Sequence, residues 1–400
     1  MSAPPSAAQP IDYHTWRARG VVVGGAAYTI ATKPGLAAQG RDEAAMLLAE
    51  RVMIPRGATV VSFQSGSGLF GAVAASGRAA AHVYLSDRSA VATEASRRTM
   101  EANGICNATV ASGHGSAPFG DALRADVVAI RIPTEKPALL QLLVDAFRLL
   151  KVGGQCCIAG ATNEGIKSAA SLLKAMFGNA TVLATEGGYR VVMAMKHTPT
   201  PVDTIAGATA CLQHDDFHPI DVVLRGVPSQ LFSRPGVFSW EHLDEATALL
   251  ADVMRVRVGE TVLDLGCGSG ALGLTAARLS GTGHVCLVDV DSEAVRCAAR
   301  AVAVAGRERC DVRASDVGAA VRDLRFDVVV TNPPFHVGKA TDLDVPTQFI
   351  VDAHALLKPG GTLQLVANRT LPYERIVREC FGNLTTLHDG PRFKVLSALR

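Results

Sequence analysis

The sequence predicts an α/β fold in which two doubly wound, mostly parallel sheets follow one another along the chain. Thr261–Gly273 reads TVLDLGCGSGALG, an apolar strand that enters a glycine-rich turn and continues as a helix. A related segment, GATVVSFQSGSGLFG, begins at Gly57 and aligns with GETVLDLGCGSGALG at Gly259, an offset of 202 residues. In both halves apolar strands alternate with amphipathic helices, as in sheets covered by helices on both faces.

Flanking segments extend this internal repeat in both directions. Lys33-Pro34-Gly35 anticipates Arg234-Pro235-Gly236, and KVGG at Lys151 anticipates KPGG at Lys358. We therefore predict two copies of one domain. The predicted divisions are a disordered tail at 1–16, a first copy at 17–197, a linker at 198–220 and a second copy at 221–400.

The first elements of the predicted first copy are two short apolar runs, Val21–Val23 and Tyr28–Ala31. Gly24 and Gly25 separate them, which is typical of a tight hairpin. We expect this hairpin to form an edge element.

Composition excludes several classes of protein. At 48% hydrophobic and 19% charged residues the chain is not intrinsically disordered. It has no apolar run of about eighteen residues, so no membrane span is expected, and the polar, proline-rich start does not resemble a secretory signal. Nine scattered cysteines without a C-x-x-C pair indicate free thiols in a reducing cytoplasm. His214 and His218 lack a third ligand, so no metal is expected.

The glycine cluster of the second copy indicates a ligand site. Gly266, Gly268 and Gly270 let the main chain approach a ligand, while the following helix offers its positive end to an anion. Gly268–Gly273 also fits G-x-G-x-x-G, the dinucleotide fingerprint, so a dehydrogenase is one interpretation. Two features oppose it: the acidic Asp264 inside the strand end, and a segment TNPPFH at 331–336 that has no use in hydride transfer.

With these residues the second copy resembles the class I S-adenosylmethionine-dependent methyltransferases, which have a Rossmann-like fold. Asp264, Gly266, Gly268 and Gly270 match the family's first motif, acidic-x-Gly-x-Gly-x-Gly. The resemblance implies S-adenosylmethionine as the cofactor. Asp264 would contact the cofactor's amino group or order the turn.

Further residues are candidates for cofactor binding. Asp289 ends a short strand about twenty residues past Gly270, where a carboxylate meets ribose hydroxyls. Asp316, after the next strand, is placed to accept from the adenine amino group, and we favour this role over the alternative of a plain turn or cap. The resemblance adds Phe238 and Ser239, whose loop lies against the methionine end in the family. Cys267 lies inside the glycine turn, where a small residue fits.

Asn332-Pro333-Pro334-Phe335 follows the strand 326–330 and is the candidate catalytic segment. In the resembling enzymes it marks methyl transfer to a planar, conjugated nitrogen. Such an amine is a poor nucleophile, so the site must hold its hydrogens on acceptors. We assign that role to Asn332 Oδ1 and the Pro333 carbonyl, with a backbone fixed by Pro334 and a stacking ring at Phe335.

The first copy lacks this chemistry. Ser62 and Gln64 stand where the second copy has Asp264 and Gly266, and Arg131-Ile132-Pro133-Thr134 stands in place of the Asn-Pro-Pro-Phe segment. A side chain at Gln64 would crowd the turn. We expect a degenerate domain that serves as a scaffold or docks RNA.

The tandem arrangement, together with NPPFH and the closing segment at 358–396, resembles the ribosomal RNA small-subunit methyltransferase C family and its large-subunit methyltransferase G relatives. The resemblance implies methyl transfer to guanine N2 in ribosomal RNA, with rRNA or a ribosomal subunit as partner. It suggests Arg369, Arg375, Arg392 and Lys394 at the rim of the site. Alternatives are a protein glutamine or small-molecule N-methyltransferase, or a non-enzymatic RNA-binding assembly factor. We favour a monomer.

Overall fold

The computed structural model describes residues 13–36, 42–76, 80–201, 214–334 and 343–400. Its first copy contains nine strands and five helices within the described ranges. They are β1 Arg17–Val23, β2 Ala26–Thr32, α1 Glu43–Arg51, β3 Ala58–Phe63, α2 Leu69–Ala75, β4 Ala80–Asp87, α3 Ala90–Ala102, β5 Ala108–Ser112, β6 Ala125–Arg131, α4 Lys136–Leu149, β7 Leu150–Ala161, α5 Ile166–Phe177, β8 Thr181–Glu186 and β9 Tyr189–Met195.

The second copy repeats these elements in the same order. They are β10 His218–Leu224, β11 Val227–Ser233, α6 Glu245–Val253, β12 Val262–Leu265, α7 Ala271–Ser280, β13 Val285–Asp289, α8 Ser292–Val304, β14 Cys310–Ala314, β15 Phe326–Thr331, α9 Asp344–Leu356, β16 Leu357–Asn368, α10 Tyr373–Phe381, β17 Thr385–Asp389 and β18 Phe393–Leu399. This one-to-one match confirms the predicted duplication.

Each copy has a seven-stranded mixed sheet with the same topology. The strand orders are β5-β4-β3-β6-β7-β9-β8 and β14-β13-β12-β15-β16-β18-β17. The first five strands in each order are parallel, and an antiparallel pair closes one edge. In the second copy the strand order reverses at β12, between β13 and β15. Ligands of doubly wound sheets bind beyond the carboxyl ends of the strands at such a reversal.

The central strands are almost wholly apolar because helices cover both faces of each sheet. All four residues of β12 are buried, and helices α6, α7 and α8 pack on one face while α9 and α10 pack on the other. Burial of this kind supplies most of the free energy that holds such sheets together. The polar residues of the site therefore stand on a rigid support.

The predicted hairpin forms, but not at the edge of a main sheet. β1 and β2 pair only with each other, and their counterparts β10 and β11 do the same. Gly24 and Gly25 both have positive φ, as the two-residue turn requires, and Arg225 and Gly226 repeat this geometry. Because β10 begins at His218, the linker predicted to reach 220 ends before that residue; residues 202–213 of it lie outside the described ranges.

Candidate active site

The glycine turn after β12 has the conformation that its sequence requires. Gly266, Gly268 and Gly270 have φ of +76°, +52° and +88°. A Cβ on Gly266 would lie 2.8 Å from Cε1 of Phe349, whereas a Cβ on Gly268 would meet nothing within 4 Å. The turn therefore excludes side chains at Gly266 on steric grounds and leaves open space above Gly268. That open cradle fits a cofactor lying against the main chain.

Asp289 supports this turn from the end of β13. Its Oδ2 accepts from the backbone N–H of Gly268 at 2.8 Å, and its Oδ1 accepts from that of Asp291 at 2.9 Å. Burial, assisted by repulsion from the Asp291 carboxylate, raises the pKa of Asp289 from 3.8 to about 6, although both hydrogen bonds oppose the rise. The carboxyl group is ionised above that pH and can then accept from hydroxyl groups.

Asp264 orders the turn from beneath. Its Oδ2 accepts from the N–H of Gly273 at 2.7 Å in the first turn of α7, while its Oδ1 is buried without a hydrogen-bond partner among the described residues. Burial raises the pKa of Asp264 to about 7. Neither Asp264 nor Gly270 lines the cavity described below, so of the two roles expected for Asp264 the geometry favours ordering of the turn.

Asn332 follows β15 and has an oriented side chain. Its Nδ2 donates to Asp244 Oδ2 at 3.0 Å and lies 2.9 Å from Thr247 Oγ1. The carboxylate of Asp244 only accepts, so the amide nitrogen must face it and Asn332 Oδ1 must point the other way. That oxygen is buried and has no partner in the described part of the chain. An unpaired buried acceptor is costly unless a ligand supplies a donor.

Asp244 and Thr247 were not identified from the sequence. Asp244 caps helix α6: its Oδ2 accepts from the N–H of Thr247 at 2.8 Å and from its hydroxyl at 3.1 Å. The sequence does show an Asp at a helix start, which is ordinary capping. Nothing in it points to Asn332, which lies 88 positions away.

A cavity of about 260 Å³ brings most of the predicted residues together at the carboxyl ends of β12, β13, β14 and β15. Phe238, Gly266, Gly268, Asp289, Asp316, Asn332, Pro333 and Pro334 all line it. A smaller adjoining cavity of about 50 Å³ shares Phe238 and Asn332 with the first and is also lined by Ser239 and Cys267. Burial raises the pKa of the Cys267 thiol well above its ordinary value, which keeps it neutral. Phe335 lies outside the described residues.

The first copy also contributes to this cavity. Tyr13, Gly35 and Val91 line it beside Asp316. The Tyr13 hydroxyl donates to Asp316 Oδ1 at 3.0 Å, and Lys33 forms an ion pair with the same carboxylate. Residues 1–12 of the predicted disordered tail lie outside the described ranges, but the prediction is wrong for Tyr13, which is only 6% exposed because it packs against the second copy.

The turn of the first copy keeps its shape without its chemistry. Gln64, the counterpart of Gly266, has a φ of +55°, which a non-glycine residue rarely adopts. Asp87, the counterpart of Asp289, still accepts from the N–H of Gly66 at 3.0 Å. His114 stands where the second copy has Asp316, and burial lowers its pKa well below the ordinary value, so it is neutral. The turn thus keeps its shape and Asp87, but Ser62 and His114 replace the carboxylates of Asp264 and Asp316.

Most of the expected basic rim is occupied by internal ion pairs. Arg369 pairs with Asp389, Arg375 with Glu379 and Arg392 with Glu245. The prediction is wrong for Lys394, which is 5% exposed because its ammonium donates to the Leu371 carbonyl at 2.8 Å and pairs with Glu374. Lys394 therefore fixes the loop before α10.

The described residues contain no group of three or more potential metal ligands. The helices that are described are too short or too polar to cross a membrane. The eight cysteines within these ranges are all free thiols.

Comparison with known proteins identifies the relatives of this arrangement. Residues 27–193 and 229–397 each match the family described as Methyltransferase small domain. Ribosomal RNA small subunit methyltransferase C of Hahella chejuensis is 35% identical over 276 residues, which cover 69% of this chain and 78% of the relative. The protein of that name from Escherichia coli strain 55989 is 31% identical over 284 residues, 71% and 78% of the two chains.

A solved structure matches nearly the whole chain. It is the Thermus thermophilus 16S rRNA N2 G1207 methyltransferase in complex with AdoMet and guanosine. The TM-score is 0.80 at 32% identity, and the alignment covers 97% of this chain and 98% of the other. Both copies and the relation between them are therefore shared with that protein.

Proposed function

This chain belongs to the ribosomal RNA small subunit methyltransferase C family, and from that membership we propose that it transfers a methyl group from S-adenosylmethionine to the exocyclic N2 of a guanine in small-subunit ribosomal RNA. The structural observation that supports this assignment is the buried Oδ1 of Asn332, which has no hydrogen-bond partner among the described residues. Asn332 lines the same cavity as Asp289 and the glycine turn. One cavity thus offers a cradle for the cofactor and an acceptor for an amine.

The residues present fit the cofactor. The open space above Gly268 admits a ligand against the main chain, and Asp289 has the position and charge to hold two hydroxyl groups. Asp316 would accept from the adenine amino group, and Phe238, Ser239 and Cys267 would surround the methionine end. When bound, S-adenosylmethionine supplies an electrophilic methyl carbon on a sulfonium sulfur.

Asn332 performs the task that the reaction requires of the protein. Guanine N2 is conjugated with its ring, so its lone pair is a poor nucleophile until its hydrogens are held out of the ring plane. Asn332 Oδ1 would accept one N–H and the Pro333 carbonyl the other, which directs the lone pair at the methyl carbon. Transfer would form the new N–C bond in place of the cofactor's C–S bond, and the extra proton on nitrogen would leave to water. No strong base is needed.

The amide orientation also selects the acceptor atom. Because Nδ2 of Asn332 is engaged by Asp244 and Thr247, only its carbonyl oxygen is left to pair with a ligand. That oxygen pairs with N–H groups and not with unprotonated ring nitrogens or carbonyls, so an amine is favoured over the acceptor groups of a base. A guanine inside a duplex cannot present N2 in this way, and we propose that it enters unpaired or flipped.

The two copies have separate tasks in this proposal. The second copy, 221–400 with the strand residues from His218, catalyses transfer, and the first copy, 17–197, is a scaffold that docks RNA. The lost acidic acceptors at Ser62 and His114 support this division. We propose that the chain acts as a monomer in the cytoplasm, where its rRNA substrate is made.

The decisive experiment maps methylation in a strain that lacks this gene. Mass spectrometry of 16S rRNA should show loss of one N2-methylguanine, and the purified chain with S-adenosylmethionine should restore it. The Asn332→Ala variant should lose transfer by about two to three powers of ten, as for other lost polar contacts to a transition state, while its cofactor affinity stays within a few-fold. Transfer to a protein glutamine but not to rRNA, or full activity of the variant, would overturn the proposal.

A further inference from the structure

A segment ahead of each hairpin crosses to the other copy. We call Tyr13–Trp16 the N-terminal arm. Nε2 of His14 in this arm lies 3.2 Å from Asp352 Oδ2 in the second copy. Ahead of the second hairpin, His214 Nε2 lies 3.8 Å from Asp145 Oδ1 in the first copy. The crossing is reciprocal, which a chance surface contact would not produce.

The two carboxylates, Asp352 and Asp145, hold equivalent loops, one in each copy. Asp352 Oδ2 accepts from the N–H of Gly318 at 2.9 Å, just after β14. Asp145 Oδ2 accepts from the N–H of Ser116 at 3.1 Å, just after β5. In the second copy this loop carries Asp316 into the cavity. The N-terminal arm therefore contacts, through His14, the carboxylate that fixes the loop bearing the adenine acceptor.

The arm also contacts Asp316 itself. Tyr13 donates to its Oδ1, and Lys33 forms an ion pair with it from a side chain that is 1% exposed. The Lys33 ammonium lies 4.3 Å from the centroid of the Tyr13 ring. Tyr13 and Gly35 line the cavity directly. A Cβ on Gly35 would lie 2.4 Å from the Tyr13 hydroxyl, so the absence of a side chain there makes room for the ring.

We propose that Tyr13 of the N-terminal arm forms the adenine-side wall of the cofactor site, and that His14 and Lys33 position the loop that carries Asp316. Tyr13 supplies an aromatic surface for a flat base, and Lys33 holds Asp316 in place as its acceptor. This inference rests on the proposed function, because it takes S-adenosylmethionine as the ligand. It gives the first copy a part in cofactor binding in addition to any contact with RNA.

The first copy provides a matched internal control. His214 makes the crossing contact there, but His114 replaces Asp316, so the corresponding loop carries no acidic acceptor. Substitution of His214 should disturb a crossing contact of the same kind as the one that His14 makes. It does so away from the cofactor cavity.

The test measures binding of S-adenosylhomocysteine to the full chain by calorimetry, without turnover. Tyr13→Ala should weaken binding by about tenfold or more, the effect of losing one aromatic contact of about 1.4 kcal/mol. Tyr13→Phe keeps the ring and loses one hydrogen bond, so a change of only a few-fold is expected. His14→Ala should weaken binding less than Tyr13→Ala, and His214→Ala should leave it within about twofold.

Wild-type affinity of Tyr13→Ala would overturn the proposal, as would equal weakening by His214→Ala, which would indicate general loosening of the interface. If Tyr13→Ala does not fold, amide hydrogen exchange of Tyr13–Trp16 in the wild-type chain decides. The ligand should slow exchange in the arm, and unchanged exchange would overturn the proposal. Failure of the wild-type chain to bind S-adenosylhomocysteine at all would instead count against the proposed function.

Discussion

Ser89 lies directly opposite Asp291 in an antiparallel bridge that joins the two copies. The flanking hydrogen bonds are Ala90 N to Val290 O and Ser292 N to Arg88 O, both 2.8 Å. Ser89 and Asp291 differ by the repeat offset of 202, so each is the counterpart of the other. Ala90 is likewise the counterpart of Ser292 and Arg88 that of Val290, so exchange of the two copies turns one flanking bond into the other. A pseudo-two-fold axis therefore passes between Ser89 and Asp291, and the copies meet as the subunits of an isologous dimer would.

Arg88 should stabilise this interface through Asp291. Its guanidinium forms a two-pronged ion pair with the Asp291 carboxylate, with Nε to Oδ1 at 2.8 Å, and both side chains are mostly buried. Arg88→Val and Asp291→Ser each introduce the residue of the other copy, and serine still caps helix α8. Each single change should lower the free energy of unfolding by about 2–4 kcal/mol, because it leaves one buried charge unpaired.

Urea denaturation of the two single variants and the double variant measures that contribution. The double variant should lose less free energy of unfolding than the two single variants lose together, by about 1–3 kcal/mol. Exposed Arg51, which pairs with Glu186 on the surface, serves as the control, and Arg51→Val should cost little. Strict additivity of Arg88→Val and Asp291→Ser would contradict the prediction.

Thr247 should position Asn332 for catalysis. Thr247→Val removes the hydroxyl that lies 2.9 Å from the amide nitrogen and leaves only Asp244 to orient it. We expect kcat to fall about tenfold to a hundredfold, with KM for S-adenosylmethionine nearly unchanged, because misorientation affects the transition state. Thr247→Ser keeps the hydroxyl and should retain most of the activity. Equal losses in both variants would show that the hydroxyl is not what matters.

Cofactor binding should depend on pH through Asp289. Its pKa is raised to about 6, so the folded chain holds this proton more tightly than the unfolded chain, with its pKa of 3.8. The carboxyl group therefore contributes stability below pH 4, and that contribution is lost as pH rises through 6. Cofactor affinity should change with pH in the opposite direction and rise as the carboxyl group ionises, because the ionised form is the acceptor for hydroxyl groups.

Affinity for S-adenosylhomocysteine, measured by calorimetry between pH 5 and 8, should be constant above about pH 7 and fall below pH 6. Asp289→Asn should bind weakly without this dependence. Asp87 in the first copy also has a pKa raised to about 6 by burial, so Asp87→Asn is the control and should keep the wild-type profile. A wild-type profile in Asp289→Asn would assign the dependence to another group.

Substitutions at Gly266 and at Gln64 should change the free energy of folding in opposite directions. Gly266→Ala places a Cβ 2.8 Å from Phe349 at a φ of +76°, which should cost about 1–3 kcal/mol of folding free energy and weaken cofactor binding. Gln64→Gly removes a side chain from a φ of +55° and should be neutral or stabilising by about 1 kcal/mol. Thermal unfolding of both variants tests the pair, and a stabilising Gly266→Ala would contradict it.

The duplicated fold was predictable because its signals are local and occur twice. The strand at Val262–Leu265 and its glycine turn follow from apolar runs and glycines a few residues apart. The hairpin at Arg17–Thr32 was also recognised from Gly24 and Gly25, but not its separation from the main sheet. Which strands pair depends on contacts between residues that are far apart in the sequence, and a local pattern of residue types does not predict those contacts.

The cavity residues at the strand ends were also predictable. Each follows an apolar strand in the sequence, and parallel strands place their carboxyl ends at one edge of the sheet. The N-terminal arm was not. Tyr13 meets Asp316 across 303 positions of sequence, and the arm has no periodic or motif signal. The one available clue was that a histidine precedes each hairpin, His14 and His214. The orientation of Asn332 by Asp244 was likewise hidden, because a capping aspartate has an ordinary local explanation.

The pseudo-two-fold contact at Ser89 and Asp291 has an evolutionary consequence. In a dimer of separate identical chains, any substitution enters both subunits, so a glutamine at the turn or a histidine in place of the adenine acceptor would disable both active centres together. One polypeptide that carries both copies has no such constraint. One half can carry Gln64 and His114 while the other carries Gly266 and Asp316, with the pseudo-symmetric contact between the halves intact.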